Sequence, residues 1–243
     1  MPKGKRASKT ALLSATRSLD LPTIQWVLQE NPALLGVRDA NGAGLLHLAC
    51  KASPERCGVP ESEQVRVAKL LLRLGLPIDE PLGKDAVTPL FIAVALPRNG
   101  KLIDFLIEEG AKVSAAPGGG LFAAAWWDDL KNLERLIRAG ARVDVVVGVT
   151  PFMAAWLWKK FASAKLLAAH GADLDFQDRK GKTALHHGVE RNYDPSLLRW
   201  LLRQGASPDI RDRNGITPRA RAERKRDKRF TKVLRNTIES PVR

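Results

Sequence analysis

The sequence predicts an all-α solenoid of about seven helix-turn-helix units joined by short β-hairpins, and three observations predict it. A slot that opens a short helix recurs at Thr10, Gly44, Thr88, Gly120, Thr150, Thr183 and Thr217, in steps of 34, 44, 32, 30, 33 and 34 residues. Downstream of each interior slot a Leu-rich helix is followed by a glycine, at Gly75, Gly110, Gly140, Gly171 and Gly205. The last four of these are followed by alanine, at Ala111, Ala141, Ala172 and Ala206. A glycine just past a helix end suits a left-handed residue that closes the helix. The clearest copy runs from Asp178 to Ala206, with a turn, a short helix opened by Thr183, a second helix and the stop at Gly205.

Within this period lie the phrases Thr88-Pro89-Leu90-Phe91-Ile92-Ala93 and Thr150-Pro151-Phe152-Met153-Ala154-Ala155. Related ones are Leu45-Leu46-His47-Leu48-Ala49 and Thr183-Ala184-Leu185-His186. The pattern resembles the ankyrin repeat, whose period is about 33 residues. The resemblance covers residues 10–238 and implies seven units, at 10–38, 39–80, 81–114, 115–144, 145–175, 176–209 and 210–238, with atypical capping units at the ends. It implies that His47 and His186 are structural, linking neighbouring turns by hydrogen bonds. It also implies that hairpins and the concave face of the first helices contact partners.

The first unit lacks a leading hairpin and has Asn31-Pro32 where Gly-Ala would fall, as expected of a terminal unit with one face in water. The second holds the long step. Its extra residues, Ser53 to Ser62, are polar and broken by Pro and Gly, which predicts a longer loop between its two helices. The hairpin before the fourth unit, Ala115 to Gly120, is almost without side chains. The next, Val143 to Val149, is apolar and β-prone, so it either packs on its neighbours or offers a sticky contact through Val146 and Val147. In the last unit Phe230, Val233, Leu234 and Ile238 recur at helical spacing, so one apolar face docks on the stack.

The net charge is +14, yet it sits at the ends: +4 in residues 1–9, +7 in residues 219–243 and +3 in between. Residues 1–9 and 239–243 read as basic N-terminus and tail. The run Arg219, Arg221, Arg224, Lys225, Arg226, Lys228 and Arg229 is either a solvated cap or a cationic patch for nucleic acid, an acidic protein surface or nuclear import. No apolar run is long enough to span a membrane. Cys50 and Cys57 lack a metal spacing, which places the chain by default in a reducing, cytoplasmic setting, or the nucleus if eukaryotic.

No catalytic or metal-ligand spacing, phosphate loop or cofactor motif is present. Asp128 and Asp129 are adjacent on a helix pattern and point about 100° apart, so they read as solvated charges. His170, just before Gly171, suits the negative end of a helix. The tryptophans carry more. Trp26 and Trp200 lie in second helices and read as core. Trp126 and Trp156 take the family's second-Ala slot and are expected to wedge between units. Trp127 and Trp158 either pack against neighbouring helices or form an aromatic hot spot beside Asp128, Lys159 and Lys160. Lys51, Leu96, Arg98, Glu190, Arg191 and Tyr193 extend the same face. Two functions follow as expectations. One is a monomeric, non-catalytic scaffold that binds another protein through the concave face and hairpin tips, and the other is nucleic-acid association through the basic ends.

Overall fold

The computed structural model describes residues 6–114 and 119–235, as two compact units. Ile238, the N-terminal lysines Lys3 and Lys5, and most of the glycine-rich hairpin before Gly120 lie outside the described residues. Among those described there are fifteen α-helices and one 3-10 turn. Strand pairing among them is limited to isolated bridges, at Arg38 with Gly44, Leu82 with Val87 and Val147 with Val149. The expected hairpins are therefore tight turns.

The first unit comprises Met1–Ala124 and Lys131–Ala141. Its helices are α1 (Lys9–Arg17), α2 (Leu21–Glu30), α3 (Leu45–Lys51), α4 (Pro54–Cys57), α5 (Glu61–Arg73), α6 (Pro89–Ala95), α7 (Gly100–Glu108), most of α8 (Gly119–Trp126) and most of α9 (Leu130–Arg138). First helices pack in the order α1, α3, α6, and second helices α5 and α7 lie against one another. The long step in the sequence is not a loop. Ser53 accepts the Arg56 amide and starts the four-residue α4, which ends at the left-handed Gly58. The buried Gln64 of α5 then donates to the carbonyls of Ala49 and Ala52 at 2.9 and 2.7 Å, sealing the open end of α3. Asn99 donates in turn to Gln64 Oε1 at 2.9 Å.

The second unit comprises Ala125–Leu130 and Arg142–Arg243. It contains α10 (Pro151–Leu157), α11 (Phe161–Ala169), α12 (Ala184–Glu190), α13 (Pro195–Arg203), α14 (Pro218–Arg224) and α15 (Lys228–Arg235). The first helices α10, α12 and α14 stack in sequence, while α13 packs on α15. The hydroxyls of Thr150 and Thr217 accept the Met153 and Ala220 amides at 3.2 and 3.1 Å, as N-caps with proline next. Thr88 does the same for α6. Two members of the expected slot differ. Thr10 and Gly120 lie inside helices, and Ser8 caps α1 instead.

The turns repeat as closely as the helices. Asp39, Asp178 and Asp212 each accept two amides through Oδ1, from Asn41 and Ala43, Lys180 and Lys182, and Asn214 and Ile216. Burial raises the carboxyl of Asp178, but the Lys182 amide, the His187 ring and the Lys180 amide outweigh it and leave its pKa below the usual range. Other carboxylates reach forward one unit: Asp79 accepts the Lys112 amide, Asp144 that of Asp173, and Asp175 that of Ser207. The histidines link turns as well. His47 Nε2–H donates to the Glu80 carbonyl at 2.8 Å, and His186 Nε2–H to that of Ile216 at 2.9 Å. His186 Nδ1 accepts the Thr183 amide at 3.1 Å, so the ring is used on both sides. The Cys50 thiol is buried, which pushes its pKa up, and both cysteines are unpaired with each other.

Gly181 is required by two separate constraints. Its φ is +73°, and an added Cβ would stand 2.8 Å from the Arg213 backbone nitrogen, which itself donates to the Lys180 carbonyl. Gly205 has the left-handed φ but open space around it. Gly181→Ala is therefore expected to cost about 1–3 kcal/mol in urea unfolding, and more than Gly205→Ala.

Burial lowers the His186 pKa, against smaller raising contributions from Ile216 and Asp212. The unfolded chain thus takes up this proton before the folded one does. Stability is full above the unfolded value near 6.5 and declines as pH falls below it. The urea midpoint is expected to drop between about pH 7 and 5, and His186→Gln to flatten that slope. An unchanged slope in the variant would remove His186 as its source.

Candidate functional site

Five of the links between first and second helix are short and hold one exposed residue left-handed: Arg98, Asp128, Lys159, Asn192 and Arg226, with φ between 53° and 61°, whereas the left-handed Leu19 after α1 is buried. Asn tolerates this conformation, whereas the longer side chains hold it because flanking helices dictate it. Each of the five residues is exposed.

In the second unit this edge carries aromatic rings. Trp126 ends α8 and is 50% exposed, Trp127 follows at 48%, and Trp158 is the C-cap of α10. The rings of Trp126 and Trp158 meet edge to face, with centroids 4.8 Å apart. Beneath them is an aromatic cluster of opposite character. Trp156 is fully buried against Phe152, Phe161 and Tyr193. Its indole N–H donates to the Ala184 carbonyl at 2.9 Å, and the Tyr193 hydroxyl donates to the Trp156 carbonyl at 3.1 Å. Lys159 Nζ stands 5.7 Å from the Tyr193 ring centre.

The expected wedge therefore exists for Trp156 and fails for Trp126. A buried indole must satisfy its N–H. Trp156 reaches the start of α12 to do so, whereas Trp126 lies at the surface against Trp158. Trp127 is exposed. Tyr193, expected on the partner-facing surface, is core at 4% exposure. Trp26 and Trp200 are only half-buried. Trp200 falls between Leu198 and Leu201, off the buried stripe of α13, with Lys165 Nζ 5.8 Å from its ring centre.

Two candidate residues turn out to hold the fold. Asp128 Oδ1 accepts the Ser163 amide at 2.9 Å and its hydroxyl at 2.7 Å. The N-cap of α11, Lys160, supplies no side-chain acceptor, so Asp128 caps this helix from the preceding turn. Glu190 pairs with Lys182 at 2.6 Å and with Arg221. Burial raises its carboxyl, but Lys182 and Arg221 prevail and lower its pKa.

Arg191 donates to the Leu157 carbonyl at 2.9 Å, beside exposed Lys159 and half-buried Lys160. In the first unit, Leu96 is 51% exposed beside Arg98, and Lys51 is exposed. Val146 and Val147 are exposed at 58% and 44%, which answers the question of whether that turn packs. They precede α10, whereas Trp158 ends it. Seven residues at ~1.5 Å rise put the valines and the tryptophans at opposite ends of that helix, so they make two surfaces.

The basic last unit is partly occupied with itself. Arg219 pairs with Asp209, Arg221 with Asp212 and Glu190, and Arg229 with Asp227. Lys225 Nζ donates to the Val189 carbonyl at 2.8 Å and to Asn192. Arg224, Arg226 and Lys228 are exposed. Phe230, Val233 and Leu234 are buried as expected, so α15 docks by its apolar face. Among the described residues no three His, Cys, Asp or Glu side chains gather as metal ligands, and no helix is long and apolar enough to cross a membrane.

Residues 121–212 match the family description of ankyrin repeats in three copies. Over that stretch the chain is built of ankyrin repeats. Two curated relatives are similar to part of the chain. It is 29% identical over 143 residues to the phosphocholine transferase AnkX of Legionella pneumophila, a match covering 55% of this chain and 15% of that protein. It is 42% identical over 76 residues to human SH3 and multiple ankyrin repeat domains protein 2, covering 31% of this chain and 4% of that one. The chain thus spans less than a sixth of either relative. Among solved structures, the ankyrin repeat domain of Bcl-3 superposes with a TM-score of 0.77 at 22% identity, covering 96% of this chain and 99% of that one. The human ASB11 ankyrin repeat domain superposes at 0.69 and 21%, covering 95% and 99%. These two show the fold.

The three tryptophans of this edge should separate by stability. Trp156→Ala is expected to lose about 3–5 kcal/mol in chemical denaturation, and Trp127→Ala about 0.5 kcal/mol or less. Asp128→Ala is expected to lose about 1 kcal/mol through the cap.

Proposed function

We propose that this chain is a non-catalytic scaffold that captures a partner protein through the aromatic turn edge of residues 125–130 and 142–235. Ankyrin repeats generally mediate protein–protein interaction. The observation that carries the specific reading is the edge-to-face pair of Trp126 and Trp158, with Trp126 and Trp127 each about half in water. Large rings at a surface are costly to leave hydrated, and tryptophan and arginine are enriched where interfaces concentrate their energy. The surrounding bonds support the same reading: Asp128, Arg191 and the Trp156 cluster hold the turn backbones, so the rings are presented on a rigid base. Val146 and Val147 supply a second, separate contact at the other end of α10.

The test is a double variant, Trp126→Ala with Trp158→Ala, compared with the parent chain in quantitative capture from cell extract. Partner recovery is expected to fall about tenfold or more, with the far-ultraviolet circular dichroism and urea midpoint close to parental. Recovery at the parental level would reject the tryptophan edge. An equal collapse of fold and recovery would make the rings structural.

A further inference from the structure

The chemistry of the partner can be taken a step further, on the basis of the scaffold reading above. In the second unit the left-handed turn residues Lys159, Asn192 and Arg226 are equivalent positions of successive units, because α10, α12 and α14 stack in that order. Packed helices stand about 8–10 Å apart, so these turns form a row with about that step. Each turn carries exposed cations: Lys159, then Arg191, then Lys225 with Arg226.

Two of these cations are held in place without meeting an acid. Arg191 donates to the Leu157 carbonyl and Lys225 to the Val189 carbonyl, each in the last turn of the first helix one unit earlier. A helix C-terminus offers about half a negative charge, so most of the Arg191 charge still faces outward, whereas Lys225 spends its three N–H groups on the Val189 and Glu190 carbonyls and Asn192 and leaves Arg226 as the exposed cation of that turn. The acids of these turns are engaged: Asp128 with Ser163, Glu190 with Lys182 and Arg221, Asp194 with the Ser196 amide, and Asp227 with Arg229. Asp129 stands at the tryptophan end.

Past Arg226 the row opens into a groove of about 450 Å³ on α14 and α15, lined by Glu223, Arg226, Lys228, Thr231, Lys232 and Arg235. Its single carboxylate, Glu223, is paired with Arg235 at 3.1 Å. The edge thus runs from an aromatic pair, along stepped cations, into a cationic groove.

We infer that this edge binds an extended acidic peptide segment of the partner protein. An apolar residue of the segment sits on Trp126 and Trp158, carboxylates at every third position meet Lys159, Arg191 and Arg226, and its end enters the groove past Arg226. The register follows from two lengths. An extended chain advances about 3.3 Å per residue, so three residues match one packed unit. Single-stranded nucleic acid fits this edge less well. The basic end offers no stacking surface, because Phe230, the one aromatic between residues 210 and 235, is buried.

The test uses the full chain, fluorescence anisotropy at about 0.15 M salt, and four labelled probes. The first is a peptide of about 12 residues with one tryptophan followed by Glu at every third position, long enough to span the row. The second has the same composition with the Glu residues contiguous, the third has Gln for Glu, and the fourth is a single-stranded oligonucleotide of similar charge. The stepped peptide is expected to bind about tenfold or more tightly than the second and third. Lys159→Glu and Arg226→Glu are each expected to weaken it about tenfold while the circular dichroism stays parental. Equal binding of the contiguous peptide overturns the register. Equal binding of the Gln peptide, still lost in Trp126→Ala with Trp158→Ala, overturns the acidic partner and leaves the tryptophan contact standing. Indifference of every probe to that double variant brings down the scaffold reading as well. Tighter binding of the oligonucleotide, weakened by the same charge reversals, replaces the peptide by nucleic acid, and no binding of the stepped peptide rejects the inference.

Discussion

A helix of seven residues forms only a few internal hydrogen bonds and leaves most of its amides and carbonyls unpaired, so it does not persist alone in water. Among the described residues five helices have that length: α3, α6, α10, α12 and α14. What holds them is the adjoining unit. Apolar faces close against one another, and the backbone groups at helix ends find partners about one period away. The Trp156 indole meets the Ala184 carbonyl, Arg191 meets Leu157, Asp128 meets Ser163, and Asp175 meets Ser207. Each unit supplies what its neighbour lacks, which is why the repeat exists as a stack and not as independent pieces.

The same dependence sorts the polar residues. Those needed to complete a neighbour lie inside or flat against the turns: Asp128, Glu190, Gln64 and both linking histidines. Side chains not drawn into this exchange stand on the outer turn edge. There the short connection holds an exposed left-handed residue at Asn192 and at the sterically less suited Lys159 and Arg226. The surface available to a partner is thus what remains after stacking has been satisfied. In the second unit that remainder is aromatic at Trp126 and cationic from Lys159 onward.

The fold was legible because its signals are local and repeated. The helix openings at Thr88, Thr150, Thr183 and Thr217 and the stops at Gly75 through Gly205 follow from residue type at fixed spacing, and the family resemblance implied the roles of His47 and His186. The candidate edge was legible only in outline. Trp158, Lys159 and Arg191 could be placed at a turn, but Trp126 and Trp156 occupy the same slot of two units and look alike in sequence. The inserted segment looked like a loop because Pro and Gly punctuate it, yet Ser53 and Pro54 are also a helix start, and a single turn forms between them and Gly58. Tyr193 carried no mark of burial, since its hydroxyl is satisfied by a carbonyl that only the fold brings near.

By itself the sequence determined the all-α repeat architecture and the helix starts at Thr88, Thr150, Thr183 and Thr217, because these depend on backbone preferences within a few residues. Tertiary structure alone decided which tryptophan is core and which is surface, and which charges are spent on neighbours. Those outcomes depend on whether a hydrogen-bond acceptor or a countercharge about one period away comes within reach. Trp156 is interior because the Ala184 carbonyl is there to receive its N–H. Trp126, preceded by the same Ala-Ala pair, meets the edge of Trp158 at the surface.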